Sequence, residues 1–171
     1  MDISKLSYDE KVELTNNPNT PIEALAALAK DYNSGVRYYV ARNANTPVEA
    51  LAELAGDEDY GVRYWVANNP NTPVEILRVL AKDEDSYVRV EVANNPNTPS
   101  EALAALAKDE DSDVRWSVAR NANSPIEVLA TILQLELRGK WNKETLGFIF
   151  KHKNASDTIR AIIKTIYPEV K

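Results

Sequence analysis

Four arginines and four aspartates recur in this sequence at one interval. Arg37, Arg63, Arg89 and Arg115 step by 26 residues, and so do Asp31, Asp57, Asp83 and Asp109. A row of guanidinium forks suits phosphate, which it grips bidentately, so the arginines could form a track for a polyanion. Acids in equal number argue instead for a ladder of Asp–Arg pairs linking successive connectors. Nucleic-acid binding that weakened steeply with salt would mark the track. Asn17, Asn43, Asn69, Asn95 and Asn121 form a third row, with Asn19, Asn45, Asn71, Asn97 and Asn123 two residues on. Asparagine mimics a backbone turn and satisfies N–H and C=O groups left over there, so this row reads as structural rather than as a polar binding strip.

Other candidate chemistry is sparse. Asp109, Asp111 and Asp113 have the alternate spacing that opens a calcium loop, but Val114 and Arg120 stand where its glycine and closing glutamate belong. Their acids are expected to cap a helix instead. The single histidine, His152, sits in KHKN without an Asp, Ser or Cys nearby in sequence, which leaves it no catalytic or metal role. Asn154-Ala155-Ser156 fits a glycosylation acceptor but reads better as a turn and cap. With no cysteine there are no disulfides, thiolate nucleophiles or thiolate metal sites. No nucleotide loop, nucleophile elbow or zinc motif is present, so a non-enzymatic protein without a cofactor or metal is expected.

The aromatic residues are harder to assign to structure alone. The two positions after each recurrent arginine hold Tyr38 and Tyr39, Tyr64 and Trp65, Val90 and Glu91, then Trp116 and Ser117. On a helix whose core side is set by flanking valines these positions point largely away from the core. Stacked, they would form a stripe centred on Tyr64 and Trp65. Exposed Tyr and Trp anchor protein interfaces, so Tyr38, Tyr39, Tyr64, Trp65 and Trp116 are a candidate interaction surface. Packing on the adjoining helix, as outer core, is the other reading.

The elements that must position these rows follow from the same period. Pro21, Pro47, Pro73, Pro99 and Pro125 are each 26 residues apart, and four full units run without a gap over 21–124. Thr20, Thr46, Thr72, Thr98 and Ser124 precede the prolines, and Glu23, Glu49, Glu75, Glu101 and Glu127 stand three residues after these hydroxyl residues. That spacing predicts a capping box opening a first helix of about ten residues. Its apolar positions, for example Ile22, Leu25, Leu28 and Ala29, should face a core. An acidic connector follows, then a V-R-x-x-V-A segment whose valines, such as Val36 and Val40, fit one face of a second short helix, either α or 3-10. Asp and Ser before that segment can cap it. Two short amphipathic helices cannot bury themselves, so the units must stack, about six layers making a curved rod roughly 50–60 Å long.

The ends differ from the middle. Residues 1–20 contribute a half-repeat cap; 125–171 begin a fifth unit that diverges after Leu133 and continue as a helical cap. There ELRGKW breaks the period, LGFIFKHKNAS resembles a second helix with its turn, and SDTIRAIIKTIY forms a last helix before Pro168. Charge divides at the same place. Residues 1–124 carry 12 Lys and Arg against 21 Asp and Glu, a net of −9, whereas 125–171 carry 8 against 5, a net of +3.

The string V-R-x-x-V-A-x-N-x-N-T-P-x-E-x-L-x-x-L-A-x-D, recurring in phase over about residues 8–133, resembles the leucine-rich repeat variant family, which is related to HEAT and armadillo arrays. The resemblance implies an all-α, right-handed solenoid of the armadillo type and a general interaction role. The 26-residue unit is slightly longer than expected of that family, which favours a fuller second helix. One member carries an iron–sulfur cluster on a cysteine module that this chain cannot match. The expected function is a protein-interaction scaffold, self-association included. A nucleic-acid-associated helical repeat using the arginine row and the basic C-terminal cap is the alternative, opposed by the net charge of −6. No apolar run approaches a membrane span and the N-terminus lacks a signal-peptide pattern, which points to a soluble, cytoplasmic protein without membrane contact.

Overall fold

The computed structural model describes residues 3–138 and 142–170. Within them lie twelve α-helices, a short 3-10 turn at Ile3–Lys5 and no strand. The helices alternate between two rows. One row holds the V-R helices α1 (Tyr8–Asn16), α3 (Ser34–Arg42), α5 (Tyr60–Asn68), α7 (Ser86–Asn94) and α9 (Ser112–Arg120), with α11 (Lys143–Lys151) at its end. The other holds α2 (Ile22–Leu28), α4 (Val48–Leu54), α6 (Val74–Leu80) and α8 (Ser100–Leu106), then α10 (Ile126–Arg138) and α12 (Asp157–Ile166). The chain is thus an all-helical solenoid. No helix among the described residues is long and apolar enough to cross a membrane.

The V-R segment is α-helical for nine residues in each unit, despite its β-branched content. Packing overrides propensity here: Val62, Val66 and Ala67 are fully buried, as are their counterparts in every full unit. Alanine at the third position allows α3, α5, α7 and α9 to lie in direct mutual contact. Successive helices of the other row touch one another more sparsely. Leu25, Leu51, Leu77, Leu103 and Leu129, all wholly buried, fill the space between the rows. Truncating one of them to alanine costs about 2–5 kcal/mol in a packed core.

The start of the first helix departs from the capping box expected of T-P-x-E. Proline, not threonine, occupies the half-in position: Pro47 (φ −66°, ψ 151°) has no side-chain cap, and its carbonyl accepts the first helical bonds. The threonine hydroxyl turns back and donates to the end of the preceding helix, Thr46 Oγ1 to the Val40 carbonyl at 2.5 Å and Ser124 Oγ to Val118 at 2.6 Å. A buried hydroxyl thereby adds a second hydrogen bond to a carbonyl of the last helical turn, which already accepts the N–H of the following asparagine. Among the described residues a true capping box forms once, where Ser7 and Glu10 start α1. The first helix is also shorter than expected, seven residues. Its first residue points outward: Ile22 is 56% exposed and Val48 and Val74 are also exposed, so only the later apolar positions face the core.

In the C-terminal part, α11 is capped by Asn142 and α12 by Ser156. Of the period-breaking ELRGKW, Gly139, Lys140 and Trp141 lie outside the described residues.

Candidate interaction face

Each V-R helix is tethered to its neighbours at both ends, and these tethers fix where its outward side chains stand. At its N-terminal end the connector aspartate bends the chain: Asp57 Oδ1 accepts the Asp59 N–H at 3.0 Å, and Asp59 in turn caps α5 through the Gly61 N–H at 2.8 Å. The second oxygen of Asp57 is then free for the previous layer. Arg37 donates to it from Nε at 2.5 Å and reaches Oδ1 from Nη2 at 2.8 Å. Arg63 grips Asp83 (2.7 and 2.9 Å) and Arg89 grips Asp109 (2.7 and 3.0 Å) in the same way. Nη1 of each arginine meanwhile donates to the carbonyl of its own connector aspartate, as Arg63 does to Asp57 at 2.8 Å. Arg37, Arg63 and Arg89 therefore pair with the next unit's aspartate, 20 residues on, and not with the carboxylate of their own.

The rungs change chemistry at the two ends. Lys11 takes the arginine position in the first layer and holds Asp31 at 2.6 Å. Arg115 finds Leu135 where an aspartate would stand; the buried Glu136 beside it accepts from Nη2 at 3.3 Å and from the Asn142 N–H at 2.8 Å. Arg115 Nε, Trp116 Nε1 and Ser117 Oγ are buried without a hydrogen-bond partner, so the joint between α9 and the C-terminal part is the least satisfied of the described rungs.

These pairs set the acid response of the fold. Burial pushes the Asp57 carboxyl up, but Arg37, the Asp59 N–H and the more distant Arg63 outweigh it and hold the group below the ordinary carboxylate value. Asp31 is held low likewise, against its burial, by Lys11, the Asn33 N–H and Arg37. A depressed carboxyl stabilises the folded state fully above its unfolded pKa of about 4 and ceases to do so as pH falls through the lower folded value. Stability should therefore be flat near neutrality and decline below about pH 4 more steeply in the wild type than in Asp57→Asn. Urea midpoints measured against pH check this, and parallel curves would remove the rung's acid sensitivity.

At the other end of the V-R helices the asparagines bridge layers. Asn69 Nδ2 donates to the carbonyls of Ala41 (2.8 Å) and Asn43 (2.9 Å), while its Oδ1 accepts the Asn71 N–H (2.9 Å). Asn95 and Asn121 repeat the pattern, and Asn43 donates to Thr15. The last rung is a histidine. His152 Nε2 lies 2.9 Å from the Asn121 carbonyl and Nδ1 accepts the Asn154 N–H at 3.1 Å, so the ring is the Nε2–H tautomer standing in for an asparagine. Aligning HKNAS with NANSP would have revealed it. His152→Asn should retain wild-type stability, whereas His152→Ala should lose about 1–2 kcal/mol in thermal melts. Equal losses in both would deny the substitution.

Between the two tethers lies the outward face. Tyr38, Tyr64 and Trp65 are half-buried, with part of each ring against the core. Tyr38 meets Trp65 edge-on at 5.6 Å, and Tyr64 meets Trp65 at 5.5 Å. With Tyr60, Gly61 and Tyr87 they line a cleft of about 390 Å³ spanning α3, α5 and α7. Gly61 holds the position that Tyr87 holds in the following unit. Burial pushes the Tyr64 phenol up, reinforced by the adjacent Glu91. Tyr39 packs edge-on to Tyr38 but lines a separate hollow beside Arg42 and Asn43. Trp116 stands apart, packed edge-on against Phe148 at 5.5 Å beneath Arg120. Sequence reasoning missed Tyr60 and Tyr87, which are 52% and 66% exposed. Two tyrosines in otherwise polar connectors were the available signal.

Comparison with known proteins places the repeat. The leucine-rich repeat variant profile matches residues 35–59, 60–85 and 88–111. A solved leucine-rich repeat variant, described as having a novel repetitive structural motif, is 27% identical with a TM-score of 0.66. The likeness covers 92% of this chain and 66% of that one, so the chain spans just under two thirds of that protein's length. The crystal structure of an engineered protein is 22% identical with a TM-score of 0.35 over 93% of this chain and 74% of its own, too distant to inform the fold. No curated protein matches.

Proposed function

We propose that this helical solenoid, three of whose repeats match the leucine-rich repeat variant profile and whose fold is similar to that of a solved member, is a non-enzymatic scaffold that binds a protein partner on its V-R face. The aromatic cleft carries this reading, because it exposes the rings of Tyr60 and Tyr87 beside Tyr64 and Trp65 at a point where the rungs have already secured the stack. Rigid aromatic side chains around a concavity are the usual anchors of an interface. The geometry of the arginines argues against the nucleic-acid alternative: Arg37, Arg63 and Arg89 spend Nε and Nη2 on a carboxylate and Nη1 on carbonyls, which leaves no fork for phosphate.

Tyr60→Ser/Tyr87→Ser tests the proposal. Partner recovered from host extract by the wild type should be lost by this variant, with the unfolding midpoint unchanged. Undiminished recovery would move the interface elsewhere.

A further inference from the structure

We propose that the cleft at Tyr60, Tyr64, Trp65 and Tyr87 receives an arginine-bearing segment of the partner protein; the assignment rests on the interaction reading above. The outward face already shows what its rings accept. In the fourth full unit the Arg120 guanidinium lies over Trp116 at 4.5 Å and over Phe148 at 5.6 Å. In the first, Arg42 lies over Trp65 at 5.3 Å. Both arginines occupy the last position of a V-R helix. The two middle units carry Asn68 and Asn94 there instead, and Arg42 lies over Trp65 alone of the cleft's rings, so among the described residues Tyr60, Tyr64 and Tyr87 have no cation over them. Asn68 is turned to Glu91, donating at 2.6 Å.

Charge around the cleft has the matching sign. No Lys or Arg lines it. Each neighbouring connector brings three acids, Asp57-Glu58-Asp59 and Asp83-Glu84-Asp85, to a single arginine from the layer before, and that arginine is bound by the first acid. Glu58 and Glu84 touch Arg37 and Arg63 only at 3.8 and 3.7 Å and keep side chains 91% and 90% exposed. Asp59 and Asp85 cap helices, and Glu91 stands beside Tyr64. The rings of the cleft, together with the exposed carboxylates of the connectors that lead into Tyr60 and Tyr87, suit a guanidinium, which stacks flat on an aromatic face while its edge N–H groups donate to acids. An apolar helix would leave those carboxylates facing it unpaired.

The probe is an acetylated, amidated eight-residue peptide of alternating Arg and Gly, titrated into the full chain by calorimetry beside the same peptide with citrulline for arginine. The arginine peptide should bind and the citrulline peptide should not. Affinity should fall about tenfold in Tyr60→Ser/Tyr87→Ser and by a similar factor in Glu58→Gln/Glu84→Gln, and it should weaken as salt rises. All four substituted side chains are exposed, and unchanged unfolding midpoints will show that the variants fold. Equal binding of both peptides, or an arginine peptide indifferent to the variants, overturns the proposal. If the native partner is lost with Tyr60→Ser/Tyr87→Ser while the arginine peptide does not bind, the cationic occupant is wrong and the interaction reading stands. Concentration-dependent self-association abolished by the same tyrosine variant would make the occupant a second copy and also overturn it.

Discussion

Replacing Asn69 by alanine should destabilise the chain by about 2–4 kcal/mol, the largest loss expected from any single polar substitution on the asparagine row. Asn69 is 2% exposed and uses three of its four hydrogen-bonding valences. The two carbonyls it serves, Ala41 and Asn43, terminate the V-R helix of the previous layer, where no helical N–H is left to reach Ala41. Alanine leaves the buried Ala41 carbonyl without its partner, leaves Asn43 with only the Thr46 N–H, and removes the acceptor for Asn71. Aspartate at position 69 should fare no better, since it keeps that acceptor but sets a carboxylate against two carbonyl oxygens. Asn71→Ala is the internal control: its Nδ2 bond to the Ala44 carbonyl is exposed, and less than about 1 kcal/mol should be lost. Equal midpoints for Asn69→Ala and Asn71→Ala in chemical denaturation would refute the interlayer role of Asn69.

The second large effect lies at the opposite end of the same helices. Arg63→Ala should cost about 3–5 kcal/mol, because it strands Asp83, whose side chain is 7% exposed, without its counter-charge. Lysine at position 63 should not restore the loss. Its point charge cannot occupy both Asp83 oxygens while also reaching the Asp57 carbonyl. Joint replacement, Arg63→Met with Asp83→Leu, should come closer to wild type than either single change, and the coupling energy from the double-mutant cycle measures the rung itself. A coupling near zero would mean that the pair is a bystander to the stack.

Much of this was legible in the sequence because it repeats. The 26-residue period, the buried valine pair and leucines, and the connector caps all depend on local spacing. What was not legible depends on which layer a side chain reaches. Thr46 sits in a helix-start pattern, yet its hydroxyl serves the previous helix, since Pro47 takes the half-in position and leaves Thr46 facing Val40. Asp57 lies six residues before Arg63 in its own unit but binds Arg37 of the unit before. Ile22 and Val48 share the apolar character of the core and are nevertheless exposed, because they are the first residue of a helix too short to turn them inward. At the C-terminal end the period fails, and with it the view of Glu136 and His152 as rungs. The aromatic face was half visible: Tyr38, Tyr64 and Trp65 follow the recurrent arginine, whereas Tyr60 and Tyr87 enter the cleft from the first turns of α5 and α7, before that arginine, and only the fold brings them there.

Stability is assigned to the rungs at the two ends of each V-R helix, and binding to the rings between them. Equilibrium unfolding of Asn69→Ala and Tyr60→Ser/Tyr87→Ser beside the wild type, in one denaturant series, tests that division most directly. The asparagine variant should lose about 2–4 kcal/mol and the tyrosine variant less than about 0.5 kcal/mol. The reverse order, with the tyrosines carrying the stability and Asn69 dispensable, would make the aromatic face outer core and contradict it.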